Sequence, residues 1–277
     1  MNLGAHVSIA GGLDKCLDRI VALGGDTLMT FASSPRSLRT RSFTPEEIKN
    51  YLDKKAKYGI GPHFLHGVYL VNLAAESKAY LKSSINSLIF YQQLAGDIGA
   101  VGTIFHVGSH KGRGFPQTMD QIIAAINYIL DSTPKGIKLI LENAAGQAGT
   151  IGADLEEFSI ILSRVGDKSK IGFCLDTQHG FASGIYLDTL LSKFDHAVGL
   201  KHLTVIHFND SLTDFNSRVD RHANLGEGTI GLDQLQKFAA DPRLAHLPFI
   251  LEVPGTDHGG PRKQDIDLLR SLVVQSG

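Results

Sequence analysis

The sequence predicts an α/β fold in which eight parallel strands, each followed by a helix, close into a (β/α)8 or TIM barrel. Short apolar runs alternate with longer amphipathic stretches along all 277 residues, at about 30–45 residues per unit. The apolar runs are continuous, as strands buried on both faces should be. No linker or low-complexity tract interrupts the alternation, so we expect one barrel domain over residues 1–277, with its active site at the C-terminal rim.

Each strand is predicted from an apolar run that ends in a polar residue or a turn. The eight runs are residues 4–7, 26–32, 60–65, 102–105, 137–141, 171–175, 203–206 and 248–251. Apolar residues at helical spacing predict helices over residues 13–23, 44–58, 77–98, 116–130, 154–165, 187–198, 231–239 and 261–274. The second helix has the clearest start, because Thr44 suits an N-cap and Pro45 suits the first helical position.

An open, doubly wound sheet is the competing architecture. Such a sheet normally carries a glycine-rich phosphate-binding turn after its first strand. The turn at that place, Ala10-Gly11-Gly12, is too weak a match to this pattern. We therefore favour the closed barrel.

The composition bounds the class of protein. The chain is 43% hydrophobic and 20% charged, with a formal net charge of -1, whereas nucleic-acid binders usually have a basic excess. It has no apolar run of about 18 residues, and its first residues lack the features of a secretory signal. We therefore expect a cytoplasmic protein without membrane association. The two cysteines, Cys16 and Cys174, are expected to be buried free thiols.

Six successive strand ends carry a residue that can bind a metal ion. These residues are His66, His106, Glu142, Asp176, His207 and Glu252. His179 follows Asp176 by three residues, and the loop after the seventh strand adds Asp220 and His222. Because the carboxyl ends of all strands in such a barrel face one mouth, we expect these nine side chains to converge. A lone histidine at a strand end is usually an ordinary polar residue, but nine such groups at one rim favour a metal site.

Five imidazoles and four carboxylates are more than one ion can use, since a catalytic zinc takes about three protein ligands. The set therefore predicts two or three ions. Nitrogen and oxygen ligands without a thiolate favour Zn²⁺, with Mn²⁺ or Fe²⁺ as alternatives. Three divalent ions against four carboxylates would leave an excess of about two positive charges, which suits an anion such as phosphate.

Several short motifs surround these residues along almost the whole chain. They are GAHVS at 4–8, HGVYLVN at 66–72, HVGSH at 106–110, LENAAGQ at 141–147, LDTQH at 175–179, HFND at 207–210, and DRH at 220–222 with LGEG at 225–228. With these motifs the chain resembles the endonuclease IV family of apurinic/apyrimidinic (AP) endonucleases. The resemblance implies a three-zinc site on a (β/α)8 barrel.

The resemblance also implies how the nine residues divide among the ions. His66, His106 and Glu142 would hold the first ion; Glu142, as a bridge, with Asp176, His207 and Glu252 the second; and His179, Asp220 and His222 the third. Glu142, Asp176 and Glu252 would thereby serve catalysis directly. The implied reaction is hydrolysis of the phosphodiester bond 5′ to an abasic site in double-stranded DNA, leaving a 3′-hydroxyl and a 5′-deoxyribose phosphate. Trimming of blocked 3′ ends and a monomeric state are also expected.

For DNA recognition, the resemblance assigns Arg36, Tyr69 and Leu70 to loops that insert into the base stack. The alternative is that Tyr69 and Leu70 begin the next helix and pack inward. Three positions depart from the family pattern, which often has an aromatic residue at Leu38 and proline at Leu65 and Val107. The first departure puts the details of the DNA contact in doubt, and none removes a metal ligand.

The remaining polar residues near the strand ends have lesser expected roles. Asn143, Gln178 and Asn209 are candidates to orient metal ligands. His6 and His110 are expected near the mouth without an assigned role. His63, His196, His202, His246 and His258 are interpreted as ordinary histidines.

Two other functions remain open from the residues alone. A sugar isomerase or epimerase on a related barrel would use about one or two ions and would not need His179, Asp220 and His222. A non-catalytic metal-binding or nucleic-acid-binding barrel would close its metal sites, whereas the expected set leaves an open position.

Overall fold

Eight parallel strands close into a barrel in the computed structural model, which describes residues 1–257 and 259–274. The barrel strands are β1 (Leu3–His6), β2 (Thr27–Thr30), β3 (His63–His66), β4 (Gly102–Phe105), β5 (Lys138–Glu142), β6 (Ile171–Asp176), β7 (Leu203–His207) and β10 (Phe249–Leu251). A short antiparallel pair, β8 (Asp210–Ser211) and β9 (His222–Ala223), lies between the last two in sequence. The order around the barrel is β1-β10-β7-β6-β5-β4-β3-β2, so the predicted (β/α)8 fold is confirmed.

The helices follow the strands in chain order. They are α1 (Lys15–Leu23), α2 (Pro45–Tyr58), α3 (Lys78–Asp97), α4 (Phe115–Asp131), α5 (Leu155–Arg164), α6 (Thr177–Ala182), α7 (Leu187–Ala197), α8 (Leu232–Ala239) and α9 (Lys263–Val274). Helix α2 begins as predicted, with the Thr44 hydroxyl accepting from the Glu47 amide while the Glu47 side chain accepts from the Thr44 amide. The six-residue α6 and the β8–β9 pair were not predicted.

The barrel interior is filled by one buried side chain from each of seven strands. This inner apolar layer consists of Met29, Phe64, Ile104, Ile140, Cys174, Val205 and Ile250. A larger apolar core lies between the barrel and its helices. The layer closes the barrel below its mouth, so the mouth is a pocket with an apolar base and not a pore.

The two cysteines and the buried histidine His63 lie outside the mouth layer. Cys16 and Cys174 are buried free thiols, as predicted. His63 is an ordinary buried histidine, as predicted, because its two nitrogens bond the Tyr51 and Thr30 hydroxyls. His258 lies outside the described residues. Within the described ranges, no helix combines the length and the apolar character needed to span a membrane.

Glu157 on α5 gives the fold a pH-dependent weakness. Its carboxylate accepts the Gly152 amide at 2.6 Å, and burial raises its pKa to about 7. Between pH 4.5 and 7 the folded state therefore binds more protons than the unfolded state, and stability falls as pH rises. We expect Glu157→Gln, which keeps an acceptor for Gly152, to stabilise the protein by about 1 kcal/mol at pH 8 and not at pH 4.5.

Denaturant unfolding at the two pH values measures this difference. Glu156→Gln is the matched control, because Glu156 is the exposed neighbour on the same helix turn. Equal stabilisation by Glu157→Gln at both pH values would show that ionisation of Glu157 is not the cause.

Candidate metal centre

The candidate site is a layer of side chains directly above the inner apolar layer. Side chains two residues apart on a strand point to the same face. The residues two positions after the seven inner ones, and His6 two positions after Gly4 on β1, therefore also point into the barrel, nearer the mouth. These positions form the mouth layer: His6, Phe31, His66, His106, Glu142, Asp176, His207 and Glu252. The six predicted strand-end residues are therefore brought together by strand alternation.

Glu142 lies at the centre of the mouth layer and is fully buried. Its Oε2 is 3.0 Å from His66 Nε2 and 3.5 Å from His106 Nε2. Its Oε1 is 2.8 Å from His207 Nδ1 and 3.5 Å from His179 Nδ1. Because its two oxygens face different sets of imidazoles, Glu142 can contribute to two cation positions at once.

His207 connects Glu142 to the two other carboxylates of the mouth layer. His207 Nδ1 is 3.0 Å from Glu252 Oε2 and 4.0 Å from Asp176 Oδ2. Asn209 donates from Nδ2 to Asp176 Oδ2 at 2.7 Å and accepts the Glu252 amide on Oδ1. One amide side chain thus holds both carboxylate-bearing strand ends, as expected for a residue that orients ligands.

A third group forms where α6 meets the loop that ends in β9. Asp220 Oδ1 is 3.4 Å from His179 Nε2 and 3.6 Å from His222 Nε2. Asp176 Oδ1 caps α6 by accepting the His179 amide at 2.8 Å, which explains the three-residue spacing between the two. The nine predicted metal ligands therefore converge at one mouth.

Some nitrogen–oxygen distances within the proposed ligand groups fit bound cations, whereas His66–Glu142, His207–Glu142 and His207–Glu252 lie at hydrogen-bond distance. Ligand atoms around a tetrahedral zinc, each about 2.0–2.1 Å from it, lie about 3.3 Å from one another. Three nitrogen–oxygen pairs are close to that value: His106–Glu142 at 3.5 Å, His179–Asp220 at 3.4 Å and His222–Asp220 at 3.6 Å. His179 Nδ1 and His222 Nε2, which face carboxylates of the site, are buried and have no hydrogen-bond partner.

Three groups of predicted residues have their ligand atoms within 4.8 Å of one another. They are His66, His106 and Glu142; Glu142, Asp176, His207 and Glu252; and Asp176, His179 and His222. Cys174 also lies within this distance of Glu142 and His207, but burial raises the pKa of its thiol to about 12. Cys174 belongs to the inner apolar layer below the mouth, so the donors of the mouth layer are nitrogen and oxygen.

The charges in the site respond to one another. Burial raises the pKa of Glu142, but the imidazoles of His106 and His207 outweigh it and hold that pKa well below its usual range. Burial lowers the pKa of His179, but Asp176 and Asp220 outweigh it and raise that pKa to about 10. Without cations, the imidazole of His179 therefore holds a proton between the carboxylates of the site. Cation binding would release this proton.

The mouth opens into a cavity of about 1040 Å³ that includes part of the predicted DNA contact. Tyr69 and Leu70 line it, with 65% and 38% of their surfaces exposed, and α3 begins only at Lys78. They do not start a helix that packs inward. The Tyr80 hydroxyl donates to the Leu70 carbonyl at 2.6 Å and holds this turn in place. Arg36 is exposed but does not line the cavity.

Phe31 belongs to the mouth layer but was missed by the sequence reasoning. Its ring lies 4.5 Å from His6, 5.5 Å from His66 and 5.2 Å from Tyr69 between centroids. It therefore joins the mouth layer to the exposed Tyr69. Its place, two residues after Met29 on the second strand, was available from alternation alone.

Asn143 and Gln178, which were expected to orient ligands, and His110, which had no assigned role, bond mainly to backbone atoms. Asn143 bonds the Asp176 backbone, donating to its carbonyl and accepting from its amide. Gln178 donates to the Val219 carbonyl and braces the loop that carries Asp220, without contacting a ligand. His110 accepts two glycine amides in its own loop.

Comparisons with known proteins agree with this geometry. The family described as xylose isomerase-like TIM barrel matches residues 17–272. A relative from Halothermothrix orenii named probable endonuclease 4 is 38% identical over 278 residues, covering 98% of this chain and 99% of its own length. The crystal structure of endonuclease IV from Thermus thermophilus superposes with a TM-score of 0.88 at 31% identity, covering 99% of this chain and 100% of that one.

A D-tagatose 3-epimerase-like protein also superposes, with a TM-score of 0.78, over 100% of this chain and 98% of that one. At 16% identity this likeness shows the shared barrel alone. The endonuclease IV relatives, by contrast, match in sequence over nearly their whole length. The chain therefore belongs to the endonuclease IV family, on a xylose isomerase-like TIM barrel.

Proposed function

We propose that this protein is a metal-dependent AP endonuclease that hydrolyses the phosphodiester bond 5′ to an abasic site in double-stranded DNA. The products would be a 3′-hydroxyl and a 5′-deoxyribose phosphate, and blocked 3′ ends would be trimmed by the same site. The observation that carries the proposal is the convergence of nine nitrogen and oxygen ligands at one barrel mouth in a member of this family. We also propose a monomeric enzyme with one domain over residues 1–277.

We propose three cation positions, occupied by Zn²⁺, with Mn²⁺ or Fe²⁺ as alternatives. The third takes Asp220 rather than Asp176, because Asp220 Oδ1 lies 3.4 Å from His179 and 3.6 Å from His222. His66, His106 and Glu142 would hold the first; Glu142, Asp176, His207 and Glu252 the second; and His179, Asp220 and His222 the third. When bound, these ions would supply a Lewis acid for the phosphate and an activated water.

The chain's own residues set the electrostatics of this reaction. Four carboxylates at the mouth would repel a phosphate unless cations were present, so substrate binding depends on the ions. Glu142 and Glu252, whose pKa values lie well below their usual range, stay ionised at neutral pH because neighbouring imidazoles outweigh their burial. Lys111 and Arg221 line the cavity, where their positive charges can contact phosphates of the DNA.

The shape of the mouth supports recognition of DNA from which a base is missing. Tyr69 and Leu70 stand exposed beside the metal-ligand groups, and we propose that they enter the base stack while the abasic nucleotide turns into the cavity. Turning out a nucleotide costs less where its base is already absent. Arg36 would contact the duplex beyond the cavity.

Removing the Tyr69 ring should weaken incision by about tenfold to a hundredfold, since stacking on a base is worth about 1–3 kcal/mol. We expect Tyr69→Ala to show this loss in kcat/KM and Tyr69→Phe to retain near-native values. Steady-state incision of an abasic duplex measures both. Tyr128→Ala is the matched control, because Tyr128 is 61% exposed on α4 and does not line the cavity. Equal activity in Tyr69→Ala and the control would remove Tyr69 from the DNA contact.

The proposed activity is tested with a labelled duplex that carries one abasic site. We expect the zinc-loaded protein to cut 5′ to that site, to leave an undamaged duplex of the same sequence intact, and to lose activity after chelation. Adding Zn²⁺ back should restore cutting. If zinc-loaded, folded protein leaves the abasic duplex uncut, the proposed function is wrong. The sugar epimerase alternative would then be examined, and its smaller ion requirement predicts about one or two ions per chain.

A further inference from the structure

His6 is a mouth-layer residue whose role the proposed metal positions do not explain. It ends β1, and β1 pairs with β10 so that Ala5 lies opposite Leu251. This register places His6 next to Glu252, the residue that follows β10. His6 is not a member of any of the metal-capable groups found among the described residues. Its side chain is nevertheless only 16% exposed and contacts a proposed ligand.

The contact between His6 and Glu252 fixes the orientation of a carboxylate. His6 Nδ1 lies 2.9 Å from Glu252 Oε1, while Glu252 Oε2 lies 3.0 Å from His207 Nδ1. The two oxygens of Glu252 are thus divided, one facing His6 and the other facing the proposed second cation position. The Glu252 amide, bonded to Asn209, fixes the backbone of the same residue.

The His6 ring is itself held in place by its neighbours. It lies 4.5 Å from the Phe31 ring and stacks on His66 at 6.2 Å between centroids. A ring packed on two sides has little freedom to rotate, so its Nδ1 keeps its direction toward Glu252. The direction of this nitrogen is therefore set before any ion binds.

We propose that His6 is a positioning residue for the second cation position: it donates from Nδ1 to Glu252 Oε1 and thereby directs Oε2 toward the cation shared with Glu142 and His207. This inference rests on the proposed metal centre. A carboxylate ligand normally needs such an outer hydrogen bond, and its loss typically lowers metal affinity by about tenfold to a hundredfold.

Two substitutions separate the donor from the ring. His6→Phe keeps a ring for packing on Phe31 but removes the donor, and His6→Asn loses the ring but keeps an N–H near the Nδ1 position. Each variant, in the full-length protein, is titrated with Zn²⁺ against a competing chelator, and ions per chain are counted after dialysis. His246→Phe is the matched control, because His246 is exposed in the connection that precedes β10.

We expect His6→Phe to bind one of its ions about tenfold to a hundredfold more weakly, with the other ions and the folded circular dichroism spectrum unchanged. His6→Asn should restore most of that affinity. The inference is overturned if His6→Phe retains the wild-type affinity, or if both variants lose affinity equally, which would assign the effect to packing. Wild-type protein that binds no zinc would overturn the metal centre as well, so the two failures are distinguishable.

Discussion

Replacing Glu142 with glutamine is expected to lower kcat for abasic-site incision by at least about 10³-fold, or about 4 kcal/mol of activation free energy. The carboxylate is fully buried and its two oxygens face different imidazole sets. An amide has one oxygen and no charge, so it cannot complete both cation positions. Steady-state incision and ion counting measure the loss, and we expect the ion content to fall by at least one per chain.

The variant should remain folded, because glutamine has nearly the shape of glutamate and removes a buried charge. Glu46→Gln on the exposed first turn of α2 is the matched control. A Glu142→Gln protein with near-native turnover and a full complement of ions would show that Glu142 does not bridge the proposed positions.

Replacing Asp210 with alanine is expected to cost about 3–5 kcal/mol of folding free energy, the largest stability effect predicted for this chain. Asp210 is fully buried, and its carboxylate accepts amides at 2.8–3.4 Å from Ser211, Gly226, Gly228, Ile230 and Gly231. A Cβ on Gly228 would lie 2.5 Å from Asp210 Oδ1, so the loop closes directly around the carboxylate. Alanine would leave these amides without an acceptor.

Asp210→Ala should also weaken zinc binding at the third cation position, because β8, which contains Asp210, pairs with β9, which contains His222. Denaturant unfolding and zinc titration measure the two effects on one protein. Asp214→Ala, at an exposed position on the intervening loop, is the control. A change of less than about 1 kcal/mol for Asp210→Ala would mean that the amides find other acceptors.

The convergence of the polar strand ends could be predicted from sequence, because all strands of a parallel barrel end at the same mouth. An apolar strand followed by His, Glu or Asp predicts a polar group at the mouth, and the eight-fold alternation predicts that these groups share that mouth. The same two-residue alternation would have added Phe31 to the mouth layer, beside His6, which was expected near the mouth without an assigned role. The predictions stopped at polar residues that bind metals, so a phenylalanine in that layer was not considered.

Features that depend on tertiary contacts were harder to predict. Helix α6 has six residues, too few for an apolar periodicity, and it exists because Asp176 caps it. The β8–β9 pair has two residues per strand and is held by Asp210, four of whose five partners lie 16 to 21 residues away in sequence. Gln178 was expected to orient a ligand, but it lies one position from His179 on a helix, so its side chain points away to Val219.

Anomalous diffraction from crystals of the zinc-reconstituted protein, recorded across the zinc absorption edge, tests the shared cation cluster most directly. We expect three zinc peaks at the barrel mouth: one among His66, His106 and Glu142, one among Glu142, Asp176, His207 and Glu252, and one among His179, Asp220 and His222. Each should lie about 2.0–2.2 Å from its nitrogen and oxygen ligands. A mouth without zinc peaks, or a single peak with Glu142 bound to one ion only, would contradict the account.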